Sequence, residues 1–496
     1  MDDTDDLYIG LDLGTSSLKG VAVTAGGEIA ARGHSPYPTS RPQVGWAEQD
    51  PSDWLAALRQ VVQQLIDDGA TAARWRAIGL SGMIPTLVTV DAQGAPTGPA
   101  ITWEDARAEA QGERLRDTLG EKRLYELTGQ WVDGRYLVPM YAWLRENEPE
   151  RVVQARRLLG AKDYLLWWLT GEYLTDPSTA TGFGCFDLAA GRWDEGVLAA
   201  AGFASAPEGI ELLPDAVSSA AARPLSGRAA AELSLPAGVP VAVGAADSVL
   251  GLLGLGVRTP GDVAYITGTS SVIMGLSERL VIDPAHRFLV TPLAGVAGWG
   301  IEMDLLSTGS AVQWLARLLE LDVQQLMDLA SSAPLGANGL SFLPFLSLGE
   351  QGALWDPYVR GTVFGLGLGH TRADVARALV EGIVLESRRC LAVLDEAGLP
   401  CGPISIAGEG GSAPFFRRLL ADASGRGVLR DPVERPYSAL GAAVIAGDAV
   451  GVALRPQPAT ERQRTDPDPS MAAAWSDLWV RHDALVGLAR QAGARR

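Results

Sequence analysis

The chain has 496 residues, 47% apolar and 20% charged, with a formal net charge of −18. That length implies more than one compact core, and the acidic balance excludes non-specific binding to nucleic acid. Three cysteines (Cys185, Cys390, Cys401) outside any Cys-x-x-Cys pair, four histidines, no basic-then-apolar leader and no uncharged apolar stretch of membrane length point to a reduced, soluble, cytoplasmic protein without a zinc site.

Residues 7–11, 18–24 and 28–34 read as strands, turned at 14–17 and 26–27. Asp50-Pro51-Ser52-Asp53 supplies cap and first-turn chemistry for a helix whose apolar positions are Trp54, Leu55, Leu58, Val61, Val62 and Leu65. Strands follow at 77–80 and 87–90, and 104–168 reads as mainly helical with a break at 129–135. The stretch 201–238, rich in Ala, Pro, Gly and Ser, leads to a boundary, and a strand at 239–243 opens the second half. There a hairpin is expected at 265–274, helices at 310–319, 323–331 and 372–397, a strand at 404–407 and a helix at 414–424. A Pro/Asp/Gln-rich stretch at 455–469 precedes a terminal amphipathic helix around 475–489. Strands and helices in this alternation imply α/β layers.

The tetrapeptide Gly-Thr-Ser-Ser occurs twice, at 14–17 and 268–271, about half the chain apart. Each copy joins two apolar runs as the tip of a hairpin, where backbone N–H groups and hydroxyls crowd together and suit an anion such as phosphate. Two ordinary turns would look the same. Asp12 interrupts the apolar strand before the first tip, a costly place for a carboxylate unless water, a hydrogen bond or a cation attends it. Beside a phosphate loop the useful cation is Mg²⁺. Ile266 stands at the matching place in the second copy, so the two tips are not equivalent. Lys19 follows the first tip closely and either offsets phosphate charge or lies on the surface.

Asp247 stands where the strand 239–243 gives way to a helix or turn. It reads as a helix cap or as a general base at a strand's C-terminal end, where ligands gather in α/β sheets. Trp103, Asp105 and Arg107 form an aromatic, acid and base group suited either to a polyol or to capping and charge pairing. Gly408-Glu409-Gly410-Gly411-Ser412-Ala413, with Asp431 beyond it, imitates a dinucleotide-binding fingerprint, but too little chain follows for that fold. The chain contains no Gly-x-x-x-x-Gly-Lys-Ser/Thr loop, which removes the ordinary P-loop kinases.

The segment 8–19, Gly45-Trp46-Ala47-Glu48-Gln49-Asp50-Pro51 and Trp103-x-Asp105-x-Arg107 resemble the FGGY carbohydrate kinases. Thr128-Gly129, Asp247, Gly268-Thr269-Ser270, 408–411 and Ala439-Leu440-Gly441-Ala442-Ala443 continue the likeness in order over about residues 7–450. Within the family it is nearest to xylulokinases, through 343–361 and 299–314.

The resemblance implies two ribonuclease-H-like domains of the actin-like ATPase and sugar kinase superfamily, with ATP–Mg²⁺ and a sugar in the cleft between them. The domains would run 1–243 on the sugar side and 244–454 on the ATP side, with 455–496 as a tail and helix. Asp247 would be the base that deprotonates the sugar hydroxyl, and Asp12 would position Mg²⁺ through water. Thr15, Ser16, Lys19, Gly268 and Thr269 would hold the ATP phosphates, and Gly410, Gly411 and Gly441 would line the adenosine pocket. Ile84, Pro85, Trp103, Asp105 and Ser248 would lie on the sugar side. A homodimer is the candidate assembly.

Three departures stand against the xylulokinase pattern. Met83-Ile84-Pro85-Thr86 replaces Gln-Met-His-Gly, Ser248 replaces the Asn after the base, and Gly349-Glu350-Gln351-Gly352-Ala353 replaces Gly-Glu-Arg-Thr-Pro. An ATP-dependent kinase of a ketopentose such as D-xylulose is the first expectation. A kinase of glycerol, erythritol, another pentulose or gluconate is the second, and a sensor of the same fold that has lost turnover is the third.

Overall fold

Every residue of the strand Leu7–Leu13 is buried, because it runs through the middle of a sheet with a partner on each side. Ser17–Thr24 pairs with it antiparallel, and Ile29–Pro36 pairs antiparallel with Ser17–Thr24 in turn. On the other side Trp75–Gly82 lies parallel to it, followed by the parallel pieces Pro240–Ala242 and Ala245–Ala246 and the antiparallel edge strand Ala222–Pro224. The helix Pro51–Asp67, capped by Asp50 as its sequence suggests, covers one face with Trp54, Leu58, Val61 and Leu65.

The other face is covered by the helix Tyr437–Ala449. A Cβ on Gly10 would lie 1.8 Å from the Ala439 carbonyl oxygen, and one on Gly79 would lie 1.9 Å from that of Ala442. Small residues on both sides let this helix approach the strands at backbone distance, which is what the run Ala439–Ala443 is for. The helix Asp247–Gly254 packs against the same helix, with Gly254 against the Tyr437 carbonyl.

The structure describes residues 6–203, 208–347, 349–400, 402–457 and 461–493 of the protein, as a computed structural model; Cys401 and the acidic residues Asp2, Asp3 and Asp5 fall outside these. Two compact units are present. The first comprises Met1–Gly256, Val290–Trp299 and Arg435–Gln457; the second comprises Val257–Leu289, Gly300–Glu434 and Pro458–Arg496. The segment 104–168 is helical as expected except at Arg157–Leu159, a strand that pairs with Thr86–Val90.

The second unit has its own sheet, in the order Trp299–Leu305, Ser271–Ser277, Val263–Thr267, Ile404–Ala407, Val428–Arg430, Gln463–Thr465. Val263–Thr267 and Ser271–Ser277 form an antiparallel hairpin, and Ile404–Ala407 runs parallel to the first of them. Each unit therefore starts with a hairpin, extends it by one strand, and lays parallel strands on the far side of the first strand. The two Gly-Thr-Ser-Ser tips are the corresponding turns of these two sheets. The 25-residue helix Arg372–Glu396 is buried along most of its length. Gln463–Thr465 and the helix Ala472–Gly493 belong to this second unit, so the C-terminal segment supplies an edge strand to its sheet.

Candidate active site

Asp12 and Asp247 are brought together by strand order. Trp75–Gly82 lies between the strand bearing Asp12 and the short piece leading to Asp247, with Asp12 opposite Ser81 and Ala245 opposite Ser81 from the other side. Both acids thus emerge at the C-terminal ends of parallel strands, where such sheets present their ligands. Asp12 is only 5% exposed, and its Oδ1 accepts a hydrogen bond from Ser81 Oγ at 2.7 Å. Burial raises its pKa, against the opposing pull of Lys19 and Ser81.

Asp247 is the first residue of its helix, after Ala246 in the cap position, so it does not act as the side-chain cap. Its Oδ1 accepts from the Ser248 N–H at 2.9 Å. Part of the residue stays open to solvent, but its carboxyl is deep enough that burial, aided by the charge of Asp12, raises its pKa to about 7. A carboxyl that titrates near neutrality can both hold and release a proton under working conditions. Tyr37 lies within the field of both acids, and burial and their charges push its phenol well up, so it stays protonated; its hydroxyl donates to the Gly14 carbonyl.

The first tip is held from several sides. Gln49 Nε2 donates to the Thr15 carbonyl at 2.7 Å and Tyr37 N–H donates to the Ser16 carbonyl at 3.1 Å. Trp103 Nε1 donates to Thr15 Oγ1 at 3.1 Å. Asp105 is saturated: it accepts from Ala47 N–H at 2.6 Å and from the Arg107 guanidinium at 2.8 and 2.9 Å, while Arg107 stacks over Trp46 at 3.7 Å. Two of the sequence motifs are therefore one lock, which fixes the chain around Gln49. Asp105, expected on the sugar side, spends both of its oxygens inside that lock. Ile84 and Pro85 are half-buried beside Gly182, at the end of the helix Pro177–Thr181, and Ser248 is half-buried beside Asp247. Lys19 is exposed and faces the same side of the sheet as Asp12, its register partner.

In the second unit Gly268 and Thr269 sit exposed at the hairpin tip, and Gly309 and Ser310 start a helix against it. Gly309 has no room for a side chain, since a Cβ would meet the Gly268 carbonyl oxygen at 2.1 Å. Thr267 joins the tip to the glycine turn: its Oγ1 donates to the Ala407 carbonyl at 2.7 Å and accepts from Gly411 N–H at 3.0 Å. Here lies a cavity of about 350 Å³, lined by Gly268, Thr269, Glu409 and Gly410 and by the apolar Val312, Met327 and Phe416 among others. Its size and its mainly apolar walls with a few polar groups fit a nucleotide. Gly411 is buried behind this wall. Gly441 belongs to the first unit, where a Cβ would meet the Leu250 carbonyl oxygen at 2.1 Å. Asp431 of the apparent dinucleotide fingerprint is paired with Arg462 at 2.8 Å.

Residues 7–254 match the N-terminal domain of the FGGY family of carbohydrate kinases, and residues 263–450 match its C-terminal domain. The chain belongs to this family. It is a sugar kinase, and carbohydrate kinases of the FGGY family take ATP as phosphate donor. It is 30% identical over 430 residues to the xylulose kinase of Escherichia coli (strain K12), covering 85% of each chain. The glycerol kinase of Bordetella pertussis is 30% identical over 470 residues, covering 90% of this chain and 89% of its own. Among solved structures, the xylulose kinase from Rhodospirillum rubrum superposes with a TM-score of 0.89 at 31% identity, covering 97% of this chain and 98% of its own.

Tyr37, Gln49, Ser81 and Thr267 are site residues that motif reading did not single out. Gln49 lay inside a quoted motif, and Ser81 stands beside Asp12 only through non-local pairing. Cys185 and Cys390 are both buried and unpaired. Among the described residues no helix is long and apolar enough to cross a membrane.

Proposed function

We propose that this sugar kinase phosphorylates a ketopentose, D-xylulose being the first candidate, with Asp247 as the general base. The observation that supports this most is the pair of carboxylates at the strand ends, Asp12 buried and Asp247 partly open with its pKa raised to about 7. In phosphoryl transfer the protein orients the nucleophile and neutralises charge, and does little covalent chemistry. Asp247 takes the hydroxyl proton as the oxygen attacks the terminal phosphorus of ATP, and the O–P bond to the leaving ADP breaks. Thr15, Ser16 and Thr269 offer N–H or hydroxyl groups to phosphate oxygens, Gly268, whose N–H closes the turn onto the Ser270 carbonyl, leaves room for the phosphates, and the adenosine takes the cavity of the second unit.

Two acids raised by burial, Asp247 also by the charge of Asp12, favour a cation. Among the described residues no cluster of three or more His, Cys, Asp or Glu could cage a metal. That donor set fits Mg²⁺, which keeps waters and draws on substrate phosphates beside one or two carboxylates. Asp12 would hold it, directly or through water, and the ion would neutralise phosphate charge. Asp12 keeps Oδ2 for that purpose while Ser81 orients Oδ1.

Pro85 offers no side-chain hydrogen bond and Ser248 reaches less far than Asn, which favours as second reading another polyol or sugar, such as glycerol, another pentulose or gluconate. A sugar hydroxyl left without its partner lowers affinity, because its desolvation is no longer offset. Following ADP release with ATP, Mg²⁺ and a panel of these acceptors separates the readings. The first reading expects D-xylulose to give the highest specificity constant; a hundredfold preference for glycerol or gluconate over it would replace the first reading by the second.

A further inference from the structure

The chain that carries Asp247 is irregular where it matters. Val241 pairs with Ile78 and Ala245 pairs with Ser81, so four steps on one strand face three on the other. The extra residue is accommodated at Gly244, whose φ is +77 and where a Cβ would lie 1.8 Å from the Leu80 carbonyl oxygen. Such a bulge re-aims the residues that follow it, and leaves some backbone groups without ladder partners.

Two of these groups are held by a buried charged network instead. Lys162, fully buried, donates from Nζ to the Val243 carbonyl at 3.1 Å. It also contacts Asp163 Oδ1 at 2.7 Å and Asp176 Oδ1 at 3.3 Å, so three acceptors surround its three protons. Asp176 Oδ2 accepts from Ser178 Oγ, and Ser178 Oγ accepts from Ala246 N–H at 3.0 Å. Gly82 lies against this network, where a Cβ would meet Lys162 Cβ at 2.8 Å. The carbonyl of Val243 and the N–H of Ala246, which flank the bulge immediately before Asp247, thus belong to one continuous set of ion pairs and hydrogen bonds. Burying a lysine and two aspartates is costly unless each is satisfied, and packing alone does not call for them here.

We infer that Lys162, Asp176 and Ser178 are positioning residues for the base: through Val243 and Ala246 they fix the bulge that aims the Asp247 carboxylate. This rests on the reading of Asp247 as base. None of the three touches the reacting atoms. Their contribution is geometric, and displacement of a reacting group by about 1 Å is enough to cost on the order of 10²-fold in rate.

The mildest probe is Ser178→Ala, which frees the Ala246 N–H and removes the hydroxyl donor to Asp176, while leaving the ion pair of Lys162 and the donations of Ser178 N–H and Thr179 N–H to Asp176. Its kcat is expected to fall by roughly ten- to a hundredfold with little change in the KM for ATP. The acid limb of its kcat against pH should shift from that of the parent, because the surroundings of Asp247 change. Ser178→Thr, which keeps the hydroxyl, should recover most of the loss. Turnover should be expressed per folded molecule, using the fraction that retains the parent's near-ultraviolet circular dichroism, so that misfolding is not counted as mispositioning. Asp247→Asn is measured alongside. If Ser178→Ala keeps the parent's kcat and pH limb while Asp247→Asn collapses, positioning is refuted and the base stands. If Asp247→Asn turns over like the parent, the base reading falls first and the inference falls with it.

Discussion

At Asp247 the same physical fact sets activity and stability in opposite directions. The carboxyl must be ionised to accept a proton, so kcat/KM for the sugar is expected to drop about tenfold per pH unit below the pKa of about 7. A pH–rate profile flat from 5 to 8 would show that another group is the base. For stability, the native state holds this proton between an ordinary 3.8 and about 7, while the unfolded chain has already lost it. Stability contributed by this group therefore declines as pH rises through that window. Asp247→Asn, which mimics the neutral acid, should stabilise the protein by about 1–3 kcal/mol above pH 7, discounted for the part of Asp247 that water still reaches. The gain should vanish below pH 4, and melting curves at the two pH values test it. At Asp12, replacement by Ala should raise the Mg²⁺ concentration needed for half-maximal turnover while sparing sugar binding measured without nucleotide. An unchanged Mg²⁺ titration would remove its metal role.

Among the elements, the helix Tyr437–Ala449 shows what the small residues of a motif do for packing. The resemblance places Gly441 at the adenosine pocket, and within the first unit its Cα packs against the Leu250 carbonyl oxygen. Gly441→Ala would gain helix propensity of about 1 kcal/mol. It would also force a methyl to within 2.1 Å of a backbone oxygen that has no room to retreat, because Leu250 is itself buried in a helix. Overpacking of this kind typically costs about 1–3 kcal/mol, so the net effect should be a lower melting temperature. The KM for ATP of the folded fraction should stay at the parent's value. A raised KM with unchanged melting would return Gly441 to the nucleotide site.

Local pattern was legible where the physics is local. The cap at Asp50 and the apolar spacing after it announced the first helix, and the apolar runs on either side of Gly14–Ser17 announced the first hairpin. Contacts between distant segments were less so. Nothing near Arg157 marks the strand Arg157–Leu159 inside a helical stretch, because its partner Thr86–Val90 is far away in sequence. Lys162-Asp163 reads as an ordinary charged pair, and only the fold brings Asp176 and Val243 to it. Asp105 was readable as polyol-binding or charge-pairing; the structure shows it fully engaged with Arg107 and Ala47.

For the whole molecule, the repeated tetrapeptide was the sequence trace of a repeated architecture, since both tips turn the opening hairpin of a sheet with the same strand order. The chain nevertheless does not divide at its midpoint. Arg435–Gln457 returns to the first unit to cover a sheet formed by the opening residues, and Pro458–Arg496 completes the second. Glycines at 10 and 79 record that return in the sequence, but only as small residues in strands, a signal with several other meanings.

The proposal comes down to a phosphoryl group moved from ATP to a sugar hydroxyl with Asp247 as base. The most direct test is ADP release by the full chain and by Asp247→Asn, with ATP, Mg²⁺ and D-xylulose or the best acceptor of the panel. ADP release should depend on the sugar, and kcat should fall by roughly 10²–10⁴ in the variant. Sugar-dependent release that Asp247→Asn sustains at the parent's rate, or ADP release that no acceptor stimulates, would contradict it.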